Sequence, residues 1–123
     1  DTGFPLAAGE DRDFCLRWTK RGWPSTYTSD AVLHHAHPLT LTGFLRQHYT
    51  YGRGAFHIHR KHTAGQHSTG RPLSFYRDLM THPLRQHSTL RGGGYALLMA
   101  LAQAATVAGY GTEAVAIHLS HPL

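Results

Sequence analysis

Three carboxylates lie within four residues of one another, Glu10, Asp11 and Asp13, at the head of the stretch Glu10-Asp11-Arg12-Asp13-Phe14-Cys15-Leu16-Arg17-Trp18. At 100° per residue, Asp11, Phe14, Cys15, Trp18 and Gly22 share one face of a helix, so the pattern puts a carboxylate where a helix normally buries carbon. A carboxylate held in a fixed place can take a proton from a reacting hydroxyl. The ordinary role of such a residue is to face the positive end of the helix dipole, which stabilises by about 0.3–1 kcal/mol. Spacing alone favours that ordinary role.

Two further sets of residues carry chemical possibilities. His34, His35 and His37 stand together where an apolar run ends, and in an extended chain His35 and His37 point the same way, a two-ligand arrangement for a divalent metal. The other nine of the twelve histidines are scattered, and with Cys15 the only cysteine they do not supply the four-ligand spacing of a structural zinc site. Arg46, Arg53 and Arg60, seven residues apart, line one flank of a helical pattern and suit a diphosphate or lipid phosphates, or simply a solvated face.

The elements that must position these groups follow from periodicity and punctuation. Glu10 to Arg21 is expected as a helix stopped by Gly22. Ser25 to Thr28 and Ala31 to His34 are expected as short strands around a Ser29-Asp30 turn, the second buried because it is apolar on both faces. From Leu39 the period becomes helical, with Leu41, Phe44, Leu45, His48, Gly52, Ala55 and Phe56 on one face. Gly52 and Gly54 weaken that helix by about 1 kcal/mol each relative to Ala and mark a kink or a close backbone approach. Residues 61–72 are polar and aperiodic, and a short helix around Phe75 to Met80 is expected to end at Pro83. No charge occurs from Gly92 to Thr112, where an Ala-rich helix is long enough to lie in a membrane interface, pack on protein or marginally span a bilayer core of about 20 residues. Val115 to Leu119 is expected as a further short helix or strand.

The whole carries 12 Lys and Arg against 7 Asp and Glu, a formal charge of +5, which favours anionic partners. One cysteine permits no intrachain disulfide and points to a reducing compartment. The abrupt Asp1-Thr2-Gly3-Phe4-Pro5 opening is that expected of a piece cut from a longer protein.

Taken in order, Gly9-Glu10-Asp11-Arg12-Asp13-Phe14-Cys15-Leu16-Arg17, Arg21-Gly22-Trp23, Tyr27 to Asp30, Ala31-Val32-Leu33-His34-His35 and Arg46 to Gly54 resemble the C-terminal half of family 2 glycosyltransferases of the GT-A fold. The resemblance covers residues 1 to about 60, and the Ala-rich helix beyond is similar to the membrane-associated tails of some members. It implies an α/β fold: residues 1–38 as the C-terminal, acceptor-side part of a Rossmann-like catalytic domain, 39–90 as an amphipathic helix and linker, and 91–123 as an apolar, membrane-associated helix and tail. The activity implied is inverting, non-processive transfer of a sugar from a nucleotide-diphosphate donor to a hydroxyl of a lipid-linked or saccharide acceptor. Asp11 is then the general base, its pKa raised by partial burial. Glu10 and Asp13 face the acceptor, and Arg53 and Arg46 meet the donor diphosphate, whose growing charge preorganised cations stabilise. His35 or His34 helps to hold a divalent metal, Mg or Mn, kept mainly by an upstream D-x-D motif that these residues lack.

The nucleotide-binding half is also missing, so the fragment alone is expected to be inactive. A Q-x-x-R-W motif is absent, which argues against a processive synthase. The implied location is the cytoplasmic face of the cell membrane, without a nucleic-acid partner. The competing possibility is a basic binding module, with the arginines and tyrosines of residues 44–60 on anionic lipid or nucleic acid and no catalysis.

Overall fold

The computed structural model describes residues 8–34, 36, 39–62 and 72–120. They form four helices, α1 (Glu10–Lys20), α2 (Leu41–His62), α3 (Leu73–Gln86) and α4 (Thr89–Ser120), with no strand among the described residues. This is an all-α arrangement, and it overturns the α/β, Rossmann-like expectation. The two segments expected as strands run as exposed coil, with Val32 68% and Leu33 87% exposed. A strand is stable only when a neighbouring ladder takes up its backbone N–H and C=O groups. Among the described residues no such neighbour lies beside residues 25–34, so apolar composition alone does not make a strand there.

α1 begins and ends as its punctuation predicts. Gly22 adopts φ +71, the left-handed conformation that terminates helices, and the backbone N–H groups of Arg21 and Gly22 donate to the last-turn carbonyls of Arg17, Trp18 and Thr19. Its buried side is not the expected one. Phe14 and Cys15 are exposed, whereas Asp13 is fully buried. Trp18 instead packs edge-on against Trp23 at 4.6 Å and donates its indole N–H to the Pro24 carbonyl, closing the chain behind the helix.

α2 and α4 make the main interface. Phe44 and His48 share a cavity with Met99 and Ala102 near one end, and Arg53 meets Glu113 towards the other, so the two helices run in the same sense. At their crossing the backbones nearly touch. A Cβ at Gly52 would overlap the Thr106 carbonyl of α4, and one at Gly109 would overlap the Tyr49 carbonyl of α2. Gly54 serves the same purpose on the opposite side, where a Cβ would overlap the carbonyl of buried Ala8. Close approach, not a kink, is therefore the use of the glycines in α2, and it compensates for their entropic cost with dense backbone contact.

α3 does not end at Pro83 but continues one further turn to Gln86. Proline removes one helical donor. Here Pro83 is buried, and its carbonyl lies where a Cβ on Gly92 of α4 would stand, 2.8 Å from that position, so packing on α4 holds the turn together. α4 is a single helix of 32 residues that absorbs Val115 to Leu119. No helix among the described residues is long and apolar enough to cross a membrane. Gln103, Thr106, Thr112 and Glu113 together with the Ala and Gly residues dilute its apolar character.

Replacing Gly52 by Ala should destabilise the chain by about 3 kcal/mol, because overpacking forces α2 and α4 apart. Gly93, which has nothing within 4 Å of a would-be Cβ, should respond oppositely: Gly93→Ala is expected to stabilise by about 0.5–1 kcal/mol. Urea unfolding midpoints of the two variants measure both effects.

Candidate functional site

The first turn of α1 is carried on α2 by two contacts. Ala8 is buried against Gly54, and a Cβ at Gly9 would stand 2.8 Å from Ile58 Cδ1, so the chain entering the helix lies directly on α2. The second contact is electrostatic. Asp13 Oδ1 accepts from His62 Nε2 at 2.7 Å and pairs with Lys61 Nζ at 3.2 Å, while Oδ2 accepts from Arg17 Nε at 2.8 Å. Lys20 Nζ lies 3.2 Å from the other nitrogen of His62, which extends the network along α1. A buried carboxylate must be paired or it becomes protonated, and three basic groups from two helices surround this one.

The ionisation of Asp13 reflects that balance. Burial raises its pKa, but the hydrogen bonds from His62, Arg17 and Lys61 and the Lys61 charge outweigh burial and hold it at about 2, below the ordinary 3.8. Asp13 thus remains a carboxylate whose oxygens are taken up inside the protein.

Glu10 and Asp11, by contrast, are exposed at the N-terminal turn. Asp11 Oδ1 accepts the backbone N–H of Arg12 at 2.7 Å, satisfying one of the donors that a helix start leaves without an intrahelical partner. The expected partial burial of Asp11 on an apolar face is not found. The acid that the fold buries lies two positions further along.

The arginines separate in the same way. Arg53 donates its Nε to Glu113 Oε1 of α4 and pairs with it through a second nitrogen as well, with His57 Nε2 3.4 Å from the other carboxylate oxygen. Glu113 is buried, and a third of the Arg53 side chain is exposed. Arg46 is exposed two turns earlier on α2. Because Ala8 touches Gly54, the first turn of α1 and the Arg53 stretch of α2 belong to one region of the molecule. His34 stands in exposed coil, and His35 lies outside the described residues. Among the described residues no three His, Cys, Asp or Glu side chains are grouped to hold a metal ion.

Lys61, His62, His57 and Glu113 join these clusters without standing out in the periodic pattern. Glu113 does carry a signal, since it is the sole acid after Asp78 and directly follows the uncharged run Gly92 to Thr112, where burial demands a cation. His59, whose Nδ1 lies 2.6 Å from the Tyr110 hydroxyl, and Phe56, edge-on to the Tyr110 ring at 5.2 Å, complete this polar seam between α2 and α4. Comparison of the chain with protein-family models, with curated proteins and with solved structures gives no match.

Stability should respond to acid through Asp13. Its folded-state pKa is depressed, so its contribution is fully present above about pH 4 and is lost as the pH falls towards about 2. Asp13→Asn should lower stability at pH 7 by about 2 kcal/mol, since charged hydrogen bonds are lost, and should flatten the melting-temperature profile between pH 4 and pH 2. Thermal melts of both proteins across that range provide the measurement.

Proposed function

We propose that this chain is the acceptor-side helical part of an inverting, non-processive glycosyltransferase, with Asp11 as the general base. The observation that carries this reading is the contrast within one helix turn: Asp13 is buried and anchored to α2, whereas Asp11 presents its carboxylate to solvent on the turn so anchored. A base needs a fixed position within hydrogen-bond reach of the hydroxyl it serves, and anchoring one turn of a short helix through Asp13 provides that while Asp11, its Oδ1 on the Arg12 backbone N–H, stays exposed.

In the proposed reaction an acceptor hydroxyl oxygen attacks the anomeric carbon of a nucleotide sugar. The new C–O bond forms as the bond from that carbon to the diphosphate breaks. The bonding pair leaves with the diphosphate, and the hydroxyl proton passes to Asp11. Glu10, beside it on the same exposed turn, orients the acceptor. Arg53 meets the diphosphate, and its ion pair with Glu113 preorganises the guanidinium for that charge. Asp13 acts through the helix as a positioning residue. The acceptor is lipid-linked or a saccharide, and the site works at a membrane surface. The donor nucleotide is held by parts of the enzyme outside these residues, and a divalent metal belongs to that donor site.

The test is Asp11→Asn in the complete enzyme, with nucleoside diphosphate release followed on a panel of UDP-, GDP- and dTDP-linked sugars. Release should fall by about 10²- to 10⁴-fold, while the Kd for the donor stays within about twofold of the parent. Undiminished turnover would reduce Asp11 to a first-turn acid of the ordinary kind.

A further inference from the structure

A cavity of about 590 Å³ opens between α2, α3 and α4, within the range of about 300–1,000 Å³ that small-molecule sites occupy. Phe44 from α2, Leu79 from α3, and Leu98 and Met99 from α4 supply its apolar lining. Tyr95 and Leu98 at the same cavity stay 49% and 39% exposed, so carbon faces outward as well as inward. Exposed apolar surface around a concavity is a mark of a binding site.

Five hydrogen-bonding side chains share the lining: His48, His82, His87, Tyr95 and Gln103. Aromatic neighbours orient two of the imidazoles, with His48 edge-on to Phe44 at 4.5 Å and His87 edge-on to Tyr95 at 5.1 Å. An imidazole retains at least one N–H donor in either protonation state, and the glutamine amide carries two. Among the described residues no carboxylate lines the cavity, so none of them repels an anion there, and the chain as a whole carries a formal +5. The occupant that complements this lining has a hydrocarbon body and a head that accepts hydrogen bonds and bears negative charge.

We propose that this cavity binds a single-chain amphiphile with a phosphate head group. The chain lies on Phe44, Leu79, Leu98 and Met99, and the phosphate oxygens accept from the imidazole and amide N–H groups. The inference uses none of Glu10, Asp11 or Arg53, so it stands or falls separately from the transferase reading.

Isothermal titration of the full chain with dodecyl phosphate, dodecyl maltoside and inorganic phosphate, each detergent below its micellar concentration, tests it. Dodecyl phosphate should bind with a Kd in the micromolar range, about tenfold or more tighter than dodecyl maltoside, and inorganic phosphate should give no measurable binding. Ala102→Trp fills the cavity, and Leu98→Asp places a carboxylate at its exposed edge. Each should weaken dodecyl phosphate binding by about tenfold or more, with the helical circular dichroism of Leu98→Asp unchanged. Equal binding of the two detergents, binding of inorganic phosphate alone, or full affinity in a folded Leu98→Asp variant would overturn the proposal.

Discussion

The contact on which the structure depends is the backbone crossing of α2 and α4 at Gly52 and Gly109. Helices with ordinary side chains at their interface stand about 8–10 Å apart, and glycine at the contact lets main chain meet main chain. That closeness sets what the flanking residues can do. Arg53, one residue beyond Gly52, reaches Glu113, one turn beyond Gly109, and a buried acid acquires its cation from the facing helix. On the other side of the crossing the helices diverge enough, with α3 alongside, to leave the cavity that Phe44 and Met99 line.

α1 is attached to this pair by a different kind of force. Its apolar side chains contribute little to the attachment, since Phe14 is half exposed and, among the described residues at its start, only Ala8 just before it is buried. The Asp13 network does more: a fully buried carboxylate whose pKa is drawn down to about 2 by His62, Arg17 and Lys61 against the opposing effect of burial. Such an arrangement is directional where apolar packing is not. Each oxygen of Asp13 has named partners, so α1 has one rotational setting on α2, and that setting turns Asp11 outward.

The functional proposal follows from this division of labour between neighbouring acids. An acid that anchors a helix and an acid that accepts a proton need opposite surroundings, one enclosed by cations and one open to a substrate. Asp13 and Asp11 occupy those two surroundings. The pairing of Arg53 with Glu113 is compatible with a role towards phosphate, because a guanidinium held by a carboxylate on one edge is preorganised rather than mobile.

Local order was legible in the residues themselves. The extent of α1 and its Gly22 stop, the long amphipathic α2, and a helix over the uncharged run Gly92 to Gly109 all follow from periodicity and glycine placement, because those signals act within a few residues. Tertiary structure decided what such signals cannot express. The runs 25–28 and 31–34 have the composition of strands, but a strand is a relation between segments, and no ladder partner lies beside them among the described residues. Pro83 ends a helix by local rules, yet packing on Gly92 carries α3 past it. The face of α1 shows the limit most clearly: apolar spacing selects Asp11, Phe14 and Cys15, while the basic groups of α2, 48 and 49 residues away in the chain, select Asp13. The sequence determined where helices form and which side chains carry charge; only their assembly determined which of the first-turn carboxylates is buried and which is left open to solvent, because burial and pairing depend on groups distant along the chain.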